Sequence, residues 1–243
     1  MTGLRCAATI AASCLLVSAV CAADETIRVA YSERPPYTMM QPDGSPAGLL
    51  GTVVAAAFRS ADIPVEWVRV PSNRQLLMVK NAEAQNCAIG WFWKKEREGW
   101  AKFTRPIYRD HQWRVLANVA FAERGYSTLE ELTQHHDVRI LVKDNYSYGG
   151  LDALIARWQP TMASSASTTD KMVQSIAKGS VDMMFVPEEE GNYIMSNHPA
   201  AQTDHLRLLY LKDMPRAPER YLMCSKAVPD EVIERLNKAI TFR

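Results

Sequence analysis

The sequence predicts an α/β fold built on two sheets, each mostly parallel and flanked by helices. Three observations lead there. Strand and helix signals alternate along the chain, the signature of repeated strand–helix–strand units whose parallel strands need helical crossovers. These units are too numerous for one small sheet. A length of 243 residues with 47% hydrophobic and 23% charged residues gives ordinary globular composition, with apolar material for one or two cores.

The elements follow in order. Residues 26–31 (TIRVAY) form a strand ended by the turn signals Arg34-Pro35-Pro36. Asp43-Gly44 marks a second turn, and residues 48–61 a small-residue helix that stops before Asp62-Ile63-Pro64. A strand at 65–70 leads to a helix at 72–81 with Ser72 as its cap, then to a short apolar strand at 86–91. A longer strand at 112–119 opens the middle of the chain. There the pattern gives a helix at 129–134, a strand at 137–142, helices at 147–158 and 167–178, and a strand at 181–186. A helix begins near Pro187, a residue suited to a first turn. Strands at 206–211 and 220–225 precede a closing helix at 229–240, with Asp230 and Glu231 at its positive end. On open parallel sheets ligands bind beyond the carboxyl ends of the strands, which directs attention to the loops after Tyr31, Val70, Trp91, Val142 and Val186.

Charge excludes some partners. Lys+Arg total 28 against 27 Asp+Glu, so a net charge of +1 gives no reason to expect nucleic acid or an anionic membrane surface. Glu188-Glu189-Glu190, the longest acidic cluster, reads as a solvated helix start. The first 23 residues differ from the rest: Arg5, an apolar run from Cys6 to Val20, then small residues to Ala23. This is the pattern of a signal peptide cleaved after Ala22 or Ala23, and Ser18-Ala19-Val20 matches a lipid-attachment motif poorly. Removal leaves Cys87 and Cys224, an even number for an oxidising compartment, as one disulfide or as two buried thiols.

Several segments together resemble family 3 extracellular solute-binding proteins, the periplasmic components of polar amino-acid ABC transporters. They are Pro35-Pro36-Tyr37, Asp43-Gly44, Gly48-Leu49, Cys87-Ala88-Ile89-Gly90, Glu96-Arg97, the run from Phe103 to Tyr108, and Gly179-Ser180-Val181-Asp182. The resemblance spans essentially the whole mature chain. It implies a two-lobed type II periplasmic-binding fold with a two-segment hinge, lobe one holding residues 24–113 and 220–243 and lobe two residues 114–219. It also implies a monomer in the periplasm that binds a small-molecule ligand, serves a membrane permease and uses no cofactor.

Arg97 falls where the family grips a ligand carboxylate, and a guanidinium suits that task because it makes paired, charge-assisted hydrogen bonds and keeps its charge when desolvated. Tyr31, Tyr37, Trp91, Phe92 and Trp93 lie on or beside strand ends and are candidates for the cleft wall. Asn145, Tyr146 and Ser147 fall at a predicted helix start, where amide groups can hold an anion. The chain departs from the family at Phe92, where a Thr is usual, and at Pro187, where an Asp for the ligand ammonium is usual. Glu188 or Glu189 is the nearest substitute, and an organic acid fits Arg97 without that Asp. A dehydratase-like enzyme on this fold would need an acid with a raised pKa, for which Glu33 and Glu188 are the candidates. An accessory or sensory binding module is the third reading. His135-His136-Asp137 lacks metal-ligand spacing.

Overall fold

The computed structural model describes residues 26–143, 146–165 and 168–242. The expected signal peptide and Asn145 lie outside the described residues. The chain opens with β1 (Ile27–Tyr31), a ribbon of β2 (Met39–Met40) and β3 (Pro46–Ala47), α1 (Gly48–Ser60), β4 (Val65–Arg69) and α2 (Ser72–Lys80). Then come β5 (Asn86–Phe92), α3 (Lys95–Glu98), β6 (Ala101–Phe103) and β7 (Tyr108–Arg109). The middle holds β8 (Trp113–Asn118), α4 (Val119–Ala122), α5 (Leu129–Thr133), β9 (Arg139–Lys143), α6 (Leu151–Trp158) and β10 (Thr161–Ser165). It continues with α7 (Thr169–Ala177), β11 (Met183–Pro187), α8 (Glu188–Asn197), α9 (Pro199–Gln202) and β12 (Leu206–Leu209). β13 (Glu219–Ser225) and α10 (Asp230–Ala239) close the chain.

The strands sort into two main sheets, β4-β1-β5-β13-β6 with β7 also on β13, and β10-β9-β11-β8-β12. In the first, β1 pairs parallel with β4 and β5, while β13 runs antiparallel to β5, β6 and β7. In the second, β9 pairs parallel with β10 and β11, and β8 runs antiparallel to β11 and β12. Each sheet therefore has one reversed strand, and in each it is the strand that arrives from the other sheet. Trp113, expected in lobe one, pairs with Pro187 in the second sheet. Glu219, expected in lobe two, pairs with Arg109 in the first. The two connecting segments touch: Gln112 bridges Arg216, and the Ala217 amide donates to the His111 carbonyl at 3.4 Å.

Each lobe has its own core. In lobe one α1 and α10 cover the sheet, with Val54, Phe58, Val232, Ile233 and Leu236 packed against Ile27, Val29 and Ile89. Burying the α10 stripe contributes about 1.5–3 kcal/mol per large side chain. In lobe two β11 is buried throughout, Met183 and Phe185 entering one apolar cluster and Met184 and Val186 the other. That is the period of two of a strand covered on both faces, and it explains why the segment is uninterruptedly apolar. Cys87 and Cys224 sit opposite each other on β5 and β13 and are joined by a disulfide.

Two local features place the cleft residues. The turn after β1 is clamped to the start of α1, since the Leu49 and Leu50 amides donate to the Pro36 and Tyr37 carbonyls at 2.9 Å. Only glycine fits at position 48, where φ is +94° and a Cβ would lie 2.5 Å from the Pro36 oxygen. In lobe two the helix expected from 147 begins at Leu151. The Asp152 carboxylate accepts from the Ser147 hydroxyl and the Tyr148 amide, both at 2.6 Å, and folds the preceding residues into a turn.

Candidate ligand-binding cleft

The carboxyl ends of β1 and β5 in lobe one face the loop after β9 in lobe two. Between them lies a cavity of about 40 Å³, lined among others by Ser32, Arg34, Tyr37, Gln75, Trp91, Phe92, Arg97, Tyr146, Ser147 and Arg220. A water needs about 10–15 Å³ on this measure, so the space holds a few waters and a larger solute requires the lobes to part. A wider opening of about 480 Å³ adjoins it, sharing Ser32 and Ser72 and adding Arg69, Lys143 and Thr169.

The three arginines of the cleft differ in their partners. Arg220, from β13, is fully buried and bound to Asp110, its Nε lying 2.8 and 2.9 Å from the two carboxylate oxygens. It also donates to the Gly90 carbonyl at 3.1 Å, and its guanidinium lies over the Tyr37 and Phe92 rings at 4.3 and 4.8 Å. Arg34, from the turn after β1, crosses the cleft to Glu190 in a bidentate pair of 2.9 and 2.6 Å. Its guanidinium lies 5.2 Å from the Tyr37 ring and 5.1 Å from that of Tyr146, and it donates to the Tyr146 hydroxyl. Arg97 donates to the Phe92 carbonyl at 2.7 Å and lies over the Trp91 ring at 5.1 Å, and it forms no ion pair among the described residues. Burial makes its proton easier to lose than that of an ordinary arginine. Lys143 resembles it: burial, then the positive charge of Arg34, lowers its pKa.

The acidic start of α8 does not behave as a solvated helix end. Successive helix residues point about 100° apart, so the three carboxylates reach three different partners. Glu188 turns to Arg114 at 2.6 Å. Glu189 accepts from the Tyr108 hydroxyl at 2.9 Å and from the His111 backbone amide at 3.0 Å, and lies 2.7 Å from the His111 ring. Glu190 enters the cleft, and burial would raise its pKa, but the charge of Arg34 and the hydrogen bonds between them hold it below the usual carboxylate range. All three sit in the first turn of the helix, where the dipole favours negative charge.

Of the residues expected at the site, Arg97, Tyr37, Trp91, Phe92, Tyr146 and Ser147 line the cavity together. Tyr31 does not: it is buried in the lobe-one core and its hydroxyl donates to the Gly44 carbonyl at 2.8 Å. Trp93 points outward, 47% exposed, with its indole N–H on Glu98. Glu188 is engaged by Arg114, and Glu33 accepts the Met40 amide of its own turn at 3.2 Å. Arg34, Arg220, Glu190, Ser32 and Gln75 were not anticipated. Gln75 had a signal in hindsight, since a polar residue on the inner face of a helix needs a partner, here the Trp91 indole at 3.0 Å.

Residues 27–241 match the family described as bacterial extracellular solute-binding proteins, family 3. Among solved structures, an ancestral arginine-binding protein bound to arginine superposes with a TM-score of 0.69 at 16% identity, covering 88% of this chain and 90% of that one. An arginine third transport system periplasmic binding protein from Legionella pneumophila gives 0.69 at 16% identity, over 88% and 92%. A histidine kinase sensor domain with similarity to periplasmic binding proteins gives 0.70 at 20% identity, over 89% of each chain. At these identities the likeness is one of fold. No curated protein sequence gives a significant match.

Proposed function

Because the chain belongs to the bacterial extracellular solute-binding proteins, family 3, we propose that it captures a small carboxylate-bearing solute between its lobes and presents it to an ABC-type permease. The solute would be an amino acid or an organic acid, bound without turnover by a monomer exported to the periplasm through a cleaved signal peptide. The observation that carries this reading is Arg97. It is a buried guanidinium facing the cavity with no carboxylate partner among the described residues, and a charge so desolvated gains most from a carboxylate placed in its plane.

Cycling would require the lobes to open about the paired segments near residues 112 and 216, a hinge motion. Among the described residues no helix is long and apolar enough to cross a membrane.

The test is a thermal-shift screen of the purified mature chain against small carboxylates and amino acids, repeated with Arg97→Ala. A ligand at 100 times its Kd stabilises the folded form by about 2.7 kcal/mol, and the variant is expected to lose that response. Recovery of the ligand unchanged after incubation supports binding without turnover. A set of hits that survives Arg97→Ala would place the anchor elsewhere.

A further inference from the structure

The cleft contains a buried carboxylate and a buried cation that satisfy each other across the lobes. Glu190 comes from lobe two and Arg34 from lobe one, 156 residues apart in sequence. Their side chains are 4% and 15% exposed. The Arg34 guanidinium lies near the rings of Tyr37 and Tyr146, between the two lobes, as a bound cation would lie in an aromatic cage. Arg34, Arg97 and Arg220 line the cavity, and Lys143 lines a smaller pocket beside it that shares Arg34 and Tyr146 and holds Glu190. The carboxylates that meet these cations in ion pairs, Glu190 and Asp110, are both engaged by arginines.

From this, resting on the proposed capture of a carboxylate at Arg97, we infer that Arg34 is a specificity-determining residue. It fills the cation subsite at Glu190 with the chain's own guanidinium, so the cleft selects carboxylates that carry no amino group. A solute ammonium would enter a site whose two paired carboxylates are taken and whose cations repel it. An unpaired charge in such a place is strongly disfavoured. The pair also ties the lobes directly, so Arg34 sets both what is admitted and how the lobes meet.

The experiment uses matched acids on the mature chain, succinate against L-aspartate and glutarate against L-glutamate, followed by calorimetry and thermal shift. The amine-free member is expected to bind at least ~100-fold more tightly, the order of penalty for an unpaired buried charge. In parallel, Arg34→Ala is titrated with methylguanidinium, which should raise its Tm by refilling the subsite, while the wild type and Arg34→Met/Glu190→Gln do not respond. A wild type that takes the aminated member as tightly as its partner overturns the inference without any variant. A folded Arg34→Ala that ignores methylguanidinium overturns it too. A wild type indifferent to every carboxylate defeats the proposed solute class instead, while the methylguanidinium arm still decides the role of Arg34.

Discussion

Asp110 and Arg220 show how much of this molecule rests on single charged pairs. Both are essentially inaccessible, at 0% and 1% side-chain exposure. The pair therefore gains little as a pair but would cost much if broken, because the remaining partner would be a charge stranded in a low-dielectric interior. Asp110→Asn is expected to destabilise the fold by about 3–5 kcal/mol, measured as a lower denaturant midpoint with an unchanged slope. The same scale separates what could be read from what could not. Arg97 was located by its place after Glu96 within a family-like pattern, and Tyr37 and Trp91 by their strand ends. Arg34, Arg220 and Glu190 carry charges that sequence alone places at the surface. Their depth follows from contacts over 110 residues or more, which no local pattern records.

At the scale of elements, the first turn of α8 joins three neighbours at once, and one of its contacts is to a histidine whose pKa is raised. His111, in the first connecting segment, has its pKa raised from 6.5, first by its hydrogen bond to Glu189 and then by that charge. A raised folded-state pKa means the stabilisation is fully present below 6.5 and is lost as pH rises through the higher folded value. Glu189 works in the opposite sense. Burial pushes its pKa up, but hydrogen bonds, including those from His111 and Tyr108, hold it below 4.5, so its contribution fades as pH falls through the depressed value. The pair is thus complete between roughly 4.5 and 6.5. Melting temperature is expected to fall modestly from pH 6 to pH 8 because the imidazole is solvent-screened, and His111→Gln should flatten that slope; an unchanged slope in the variant would rule the contact out as its source. Two of the elements were legible in the sequence: β11 as the strand expected at 181–186, and α10 as a closing helix with Asp230 and Glu231 at its start. The strand β10, with the sequence TMASS, was not, because it carries no alternation of apolar residues and lies at the sheet edge. The short β6 and β7 gain strand geometry only by pairing with β13.

For the whole molecule, the alternation of strand and helix was enough to foresee two sheets, because parallel strands demand helical crossovers wherever they occur. It did not reveal that each sheet admits one reversed strand, since direction is a property of how the chain returns. The disulfide belongs to this scale as well. It closes a loop with a sequence separation of 137, and losing a native cross-link typically costs about 2–5 kcal/mol, with long loops at the upper end of that range. Cys87→Ala/Cys224→Ala is expected to lower stability by that amount, read by denaturant unfolding against the oxidised parent.

Seen as a covalent graph, the bond between Cys87 and Cys224 makes a ring, and the whole second sheet, from Trp113 to Leu209, lies on its circumference. A protease that cuts once anywhere on that circumference opens the ring without releasing a fragment. Such a molecule keeps its full mass under oxidising conditions and separates into two pieces only when a reductant is added. A protein posted outside the cytoplasm could thus take a nick in lobe two and still hold its two ends in one sheet.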